Sequence, residues 1–180
     1  MLADYITPHP ELVEGWKQKT QRLPPRRNAR KKRAMSKPLY ILNGPNLNRL
    51  GTREPEVYGR ATLSDIEAAC TKMTASRNRT LVFRQTNSEG TLVDYVQEAA
   101  DAACALIINA GAYTHTSIAL HDALRLLNVP VIELHLSNPA AREDFRRTNY
   151  VAPAATASIC GFGAMGYEMA VTAALQLVKI

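Results

Sequence analysis

From residue 38 onward, short apolar runs alternate with longer segments whose apolar residues recur at helical spacing. The strand-like runs are PLYILNG (38–44), TLVFRQT (80–86), CALIINAG (104–111), VPVIELH (129–135) and TASICG (156–161). Between and after them lie helix-period segments at 62–76, 88–103, 116–128 and 164–178, the first three opening on a Thr or Ser suited to capping. Strands apolar on both faces and joined by helix-length connections predict a parallel sheet covered on both sides. The pattern predicts an α/β, flavodoxin-like doubly wound domain of five parallel strands with helices on both faces, spanning 37–180. In such a fold the functional groups collect beyond the carboxyl ends of the strands.

Charge divides the chain. The 180 residues carry 22 Lys+Arg and 16 Asp+Glu, a formal charge of +6. Residues 1–34 hold nine basic and three acidic residues, 9 − 3 = +6, so the remainder sums to zero. The segment ends in PPRRNARKKR without apolar periodicity, and residues 1–36 read as a basic, disordered extension. A nucleic-acid or membrane-binding tail and a cleaved targeting peptide both compete with a simpler reading. In that reading Met35 is the native start and the first 34 residues are dispensable or not part of the native protein. No nucleic-acid or membrane partner is therefore expected.

Three cysteines, Cys70, Cys104 and Cys160, lie far apart in apolar or helical contexts, as buried thiols of a reducing compartment would. With no apolar run of spanning length, a cytoplasmic protein is expected.

Polar residues gather at the predicted strand ends. NGPNLNRLGTREPEVYG (43–59) is a long connection with Arg49, Arg53, Glu54 and Tyr58, NAGAYTHTS (109–117) brings Asn109 and His115, and ELHLSNPAAREDFRR (133–147) brings His135, Ser137, Asn138, Arg142 and Arg146. The inventory excludes several chemistries. No lysine lies at that edge, which argues against an imine, and His115 and His121 are six apart, not the i, i+4 spacing of a helical zinc pair. Neither a G-x-S-x-G elbow nor a P-loop is present. The glycines of GFGAMG (161–166) follow the last strand, where close helix-to-sheet packing explains them as well as a dinucleotide would. Neither metal nor cofactor is expected.

What remains is a set of Tyr, His, Arg, Asn and Ser. Arginine forks suit a carboxylate-bearing substrate. Tyr and His suit proton transfers in opposite directions, provided a cation such as Arg53 stabilises the Tyr58 phenolate.

These motifs, 43–59, 109–117, 133–138 and 141–147, together closely resemble the type II 3-dehydroquinate dehydratases of the shikimate pathway, over essentially all of 38–180. The resemblance implies a cofactor-free hydro-lyase, assembled as trimers and then a dodecamer, that converts 3-dehydroquinate to 3-dehydroshikimate by anti elimination through an enolate. It implies Tyr58 as the base, Arg53 as the cation that stabilises phenolate and transition state, and Asn46 as holder of a water against the enolate oxygen. His135 becomes the acid at the departing hydroxyl; independently of the resemblance, strand alternation puts Glu133, two residues earlier, on the same face, where it is expected to orient the imidazole. Asn109, His115, Leu136, Ser137 and Arg146 match substrate-binding positions, Arg142 a mobile one, and Asp122 a residue that reaches a neighbouring subunit's site. A non-catalytic binding module on the same scaffold and a hydro-lyase for a related cyclic hydroxy acid are the alternatives.

Overall fold

The structure, a computed structural model, describes residues 36–52 and 60–178. The basic N-terminal segment, Arg53 and Tyr58 lie outside the described residues. Five parallel strands, β1 (Leu39–Asn43), β2 (Leu81–Gln85), β3 (Ala105–Asn109), β4 (Val131–His135) and β5 (Ala157–Cys160), form one sheet in the order β2-β1-β3-β4-β5. That is the flavodoxin-like order expected from the pattern, and its switch point lies between β1 and β3.

Residues alternate between faces along each strand, so one strand feeds two cores. Leu39, Ile41, Ile107, Ile132 and Leu134 pack against α1 (Leu63–Ser76) and α4 (Met165–Leu177) through Ile66, Cys70, Tyr167, Ala170 and Val171. Tyr40, Leu42, Leu106, Ile108 and Val131 pack on the opposite face against α2 (Glu89–Ala102) and α3 (Ile118–Leu124) through Leu92, Val96, Leu120 and Leu124. At about 1.5–3 kcal/mol for each fully buried aliphatic side chain, these layers outweigh any single cap.

The caps set where the helices begin. Thr62 and Asp65 form a reciprocal capping box at α1, Ser88 accepts from Thr91 N at α2, and Ser117 accepts from Leu120 N at α3. At α4 no side chain caps the start; instead a Cβ on Gly166 would stand 3.0 Å from Leu134 Cδ1, so the glycine lets the helix lie close on β4. The packing reading of GFGAMG therefore has a direct structural basis.

Two expectations need correction. The helix expected over 116–128 is regular only from Ile118 to Leu124, because Leu126 N and Leu127 N bond three residues back, to Ala123 O and Leu124 O, and tighten the end. The sheet is covered on both faces as expected, and its edge strand β5 exposes three of its four residues. Cys160 is for that reason exposed, whereas Cys70 and Cys104 are buried.

No helix among the described residues is long and apolar enough to cross a membrane.

Candidate active site

The connections after β1, β3 and β4 converge at the carboxyl edge of the sheet. Gly44 N donates to Asn109 O at 2.8 Å, and a Cβ on Gly44 would lie 2.3 Å from Ala110 O, so only glycine lets the two connections touch. Asn46 follows with φ 67, a left-handed conformation that asparagine tolerates better than most residues. Its backbone N–H donates to Asn87 Oδ1 at 2.9 Å, which moors the β1 connection to the end of β2.

Together these segments enclose a cleft lined by Asn46, Leu47, Arg49, Asn109, His115, His135, Leu136, Ser137, Arg142 and Arg146, among others. Of the residues expected at the site, Asn46, Asn109, His115, His135, Leu136, Ser137, Arg142 and Arg146 are thus brought together. Glu133 lies behind the wall, buried, and Asp122 is exposed on α3 without lining the cleft. Arg53 and Tyr58 cannot be located, lying outside the described residues.

His135 ends β4 at 9% exposure, with Nε2 2.8 Å from Glu133 Oε1. A carboxylate can only accept, so Nε2 carries the hydrogen and Nδ1 is left for other chemistry. Burial pushes the pKa of Glu133 upward, but hydrogen bonds from His135, Ser158 and Asn149 outweigh it and hold the carboxyl below its usual range.

His115 is fixed in the opposite sense. Its Nδ1 sits 2.7 Å from the carbonyl of Thr148, which places a hydrogen on Nδ1 and leaves Nε2 as the acceptor of a neutral ring. The two imidazoles are nearly parallel, with centroids 6.3 Å apart.

The cationic wall comes from the turns after β4. Asn138 Oδ1 accepts from Ala140 N at 3.1 Å and starts one turn, and a second at Asp144–Arg147 turns Arg146 toward Glu143. Arg146 Nε donates to Glu143 Oε2 at 2.6 Å, and Arg142 Nη1 to Ser137 Oγ at 3.3 Å. Hydrogen bonding from Arg146 first of all holds the Glu143 carboxyl below its usual range.

At the floor, Asn109 Nδ2 donates to Tyr167 Oη at 3.2 Å, and Tyr167 Oη donates to Asn43 Oδ1 at 2.6 Å. This ties the ends of β1 and β3 to α4 across the switch point. Asn149, Ser158 and Tyr167 were not identified from the sequence. Strand periodicity could have raised Ser158 as a partner of β4, but Asn149 and Tyr167 carry no local signal.

The arrangement can bind a small anion and move protons. It combines a buried His–Glu pair, a second histidine with a free acceptor, amide groups and three arginines. Among the described residues, no group of three or more His, Cys, Asp or Glu side chains is placed to hold a metal.

Comparison with known proteins agrees with this architecture. The family model described as "Dehydroquinase class II" matches residues 37–175. A 3-dehydroquinate dehydratase of Caulobacter sp. (strain K31) is 62% identical over 144 residues, 80% of this chain and 98% of that protein. One of Hyphomonas neptunium is 64% identical over 143 residues, 79% of this chain and 96% of its own length. The crystal structure of a type II dehydroquinase from Propionibacterium acnes superposes with a TM-score of 0.73 at 43% identity, covering 77% of this chain and 95% of that one. The family-model match over 37–175, the identity to these relatives and the near-complete coverage of their length place the chain in the class II dehydroquinase family.

Proposed function

We propose that this protein is a hydro-lyase that removes water from 3-dehydroquinate to give 3-dehydroshikimate. The observation that carries the reading is the His135–Glu133 pair, a proton carrier on an ionised carboxylate in a cleft that arginines also line. A module that only bound its ligand would need no such pair.

In the proposed reaction the Tyr58 phenolate takes a C2 proton, with Arg53 supplying the cation that makes a phenolate accessible near neutral pH. The electrons pass to the C3 carbonyl oxygen as an enolate, against which Asn46 holds a water. Collapse of the enolate expels the C1 hydroxyl as water, with the proton delivered by His135. With Nε2 committed to Glu133, Nδ1 is the nitrogen that delivers it. Glu133 stabilises the imidazolium before delivery and fixes the ring.

Arg146 pairs with the substrate carboxylate, and Arg142 closes the same wall. Asn109, His115 through its free Nε2, and Ser137 meet the hydroxyls, while Leu136 packs against the ring. Asp122, exposed on α3, serves the site of a neighbouring subunit in a trimer-based dodecamer. The 45–60 connection acts as the lid that brings Arg53 and Tyr58 to the substrate. The protein acts in the cytoplasm, in aromatic amino-acid biosynthesis.

The direct test is to incubate the purified protein with 3-dehydroquinate, without added metal, and follow the absorbance of the conjugated enone. Turnover that survives borohydride treatment in the presence of substrate is expected. Absence of signal at micromolar enzyme rejects the reading, and inactivation by borohydride would replace it with an imine mechanism.

A further inference from the structure

The Glu133 carboxylate is 2% exposed, yet both its oxygens are engaged. Oε1 accepts from His135 Nε2 at 2.8 Å and from Asn149 Nδ2 at 2.7 Å, and Oε2 accepts from Ser158 Oγ at 2.6 Å. Neither Asn149 nor Ser158 lines the cleft.

Both partners are held by the fold. Ser158 stands opposite Glu133 in the β4–β5 register, so its hydroxyl approaches from the neighbouring strand. Asn149 Oδ1 accepts from Val151 N and Ala152 N, each at 2.8 Å, and this fixes which end of the amide faces Glu133. A buried carboxylate tends to take up a proton unless enough donors replace water. Were Glu133 neutral, His135 would lose the anion that holds its Nε2 hydrogen.

We propose that Ser158 and Asn149 are positioning residues for His135, acting through Glu133: their two hydrogen bonds keep the carboxylate placed so that it accepts from Nε2. They touch neither substrate nor imidazole. The proposal rests on the reading of His135 as the acid, and it adds a relay that reaches from the edge strand β5 to the reacting proton.

The test uses a pair of variants of nearly equal shape in the full-length protein, Ser158→Val and Ser158→Thr. Ser158→Val removes the hydroxyl from the exposed edge strand while keeping the shape that Ser158→Thr shares. Its kcat for 3-dehydroquinate should fall about 10- to 100-fold, the rate equivalent of one hydrogen bond to a charged group. KM should be nearly unchanged, and Ser158→Thr should restore kcat. Asn149→Asp keeps the acceptor for Val151 and Ala152 but sets a second carboxyl against Glu133 in place of the donor, and the like charge should lower kcat at least as far as Ser158→Val does.

A second readout does not need turnover. In protein labelled with ¹⁵N-histidine, the Nε2–H resonance of His135 should move in Ser158→Val while the Nδ1–H resonance of His115 stays in place. Wild-type kcat in Ser158→Val, or an unmoved His135 resonance, overturns the relay. A wild-type protein inactive on 3-dehydroquinate would remove the functional reading instead, and the resonance comparison would still decide whether the relay exists.

Discussion

The hydroxyl of Tyr167 donates to Oδ1 of Asn43 at 2.6 Å, although 124 positions separate the two residues. Both are fully buried, and the same hydroxyl accepts from Asn109, so one group joins α4 to the ends of β1 and β3. Tyr167→Phe leaves a buried amide oxygen without its donor and should cost about 1–3 kcal/mol. Denaturant unfolding at matched protein concentration measures the difference.

The same tyrosine makes stability depend on alkaline pH. Burial, the largest cause, pushes its pKa well above the ordinary value, Asn109 opposes and Cys70 adds to the rise. A raised folded-state pKa means that its contribution is complete below the unfolded value near 10 and is lost as pH rises from there toward the folded value. Wild type should lose stability more steeply than Tyr167→Phe between about pH 10 and 11. Parallel curves for the two proteins would show that this hydroxyl does not govern the alkaline limb.

Gly44→Ala should damage fold and activity together. The added Cβ would meet Ala110 O at 2.3 Å and must force the β1 and β3 connections apart. Backbone shifts of that kind cost about 1–3 kcal/mol. Because Asn46 and Asn109 ride on those two connections, kcat/KM should drop along with Tm.

Removing a proton carrier should act on turnover, not on binding. His135→Ala is expected to lower kcat about 10²–10⁴-fold, the usual contribution of one acid–base group. Tyr58→Phe should abolish turnover while 3-dehydroquinate still binds in a calorimetric titration. Activity retained in Tyr58→Phe would remove it from the role of base.

Arg146→Lys should chiefly raise KM. A lysine keeps the charge but loses the planar fork that meets a carboxylate through two parallel bonds. A rise of about tenfold, with kcat altered less, corresponds to the loss of one charge-assisted hydrogen bond. An unchanged KM would exclude Arg146 as the carboxylate partner.

A protein beginning at Met35 should keep full activity while its pI falls from 9.4 toward neutrality, because the +6 belongs to residues 1–34. Lost turnover, or a changed oligomeric state on a sizing column, would make the basic segment functional.

Periodicity and caps determined most of the architecture. Apolar runs such as YILN and ALII are legible as buried strands because both faces of a central parallel strand must be apolar. Thr62, Ser88 and Ser117 mark helix starts because orphan N–H groups need an acceptor there. The gathering of Asn46, Asn109, His115, His135 and Arg146 also followed from the sequence, since every connection leaving a parallel sheet begins at the same edge.

Tertiary structure alone decided which groups meet. That Ser158 and Asn149 complete the Glu133 carboxylate depends on strand order, on the β4–β5 register and on the turn after Asn149. That Tyr167 closes the switch point depends on how α4 crosses the sheet, and that Cys160 is exposed on β5 being an edge. Local pattern reports which face of an element is buried. The partner across that face is chosen by packing among separate segments, 16 residues apart for Asn149 and Glu133 and 124 for Tyr167 and Asn43, where periodicity carries no information.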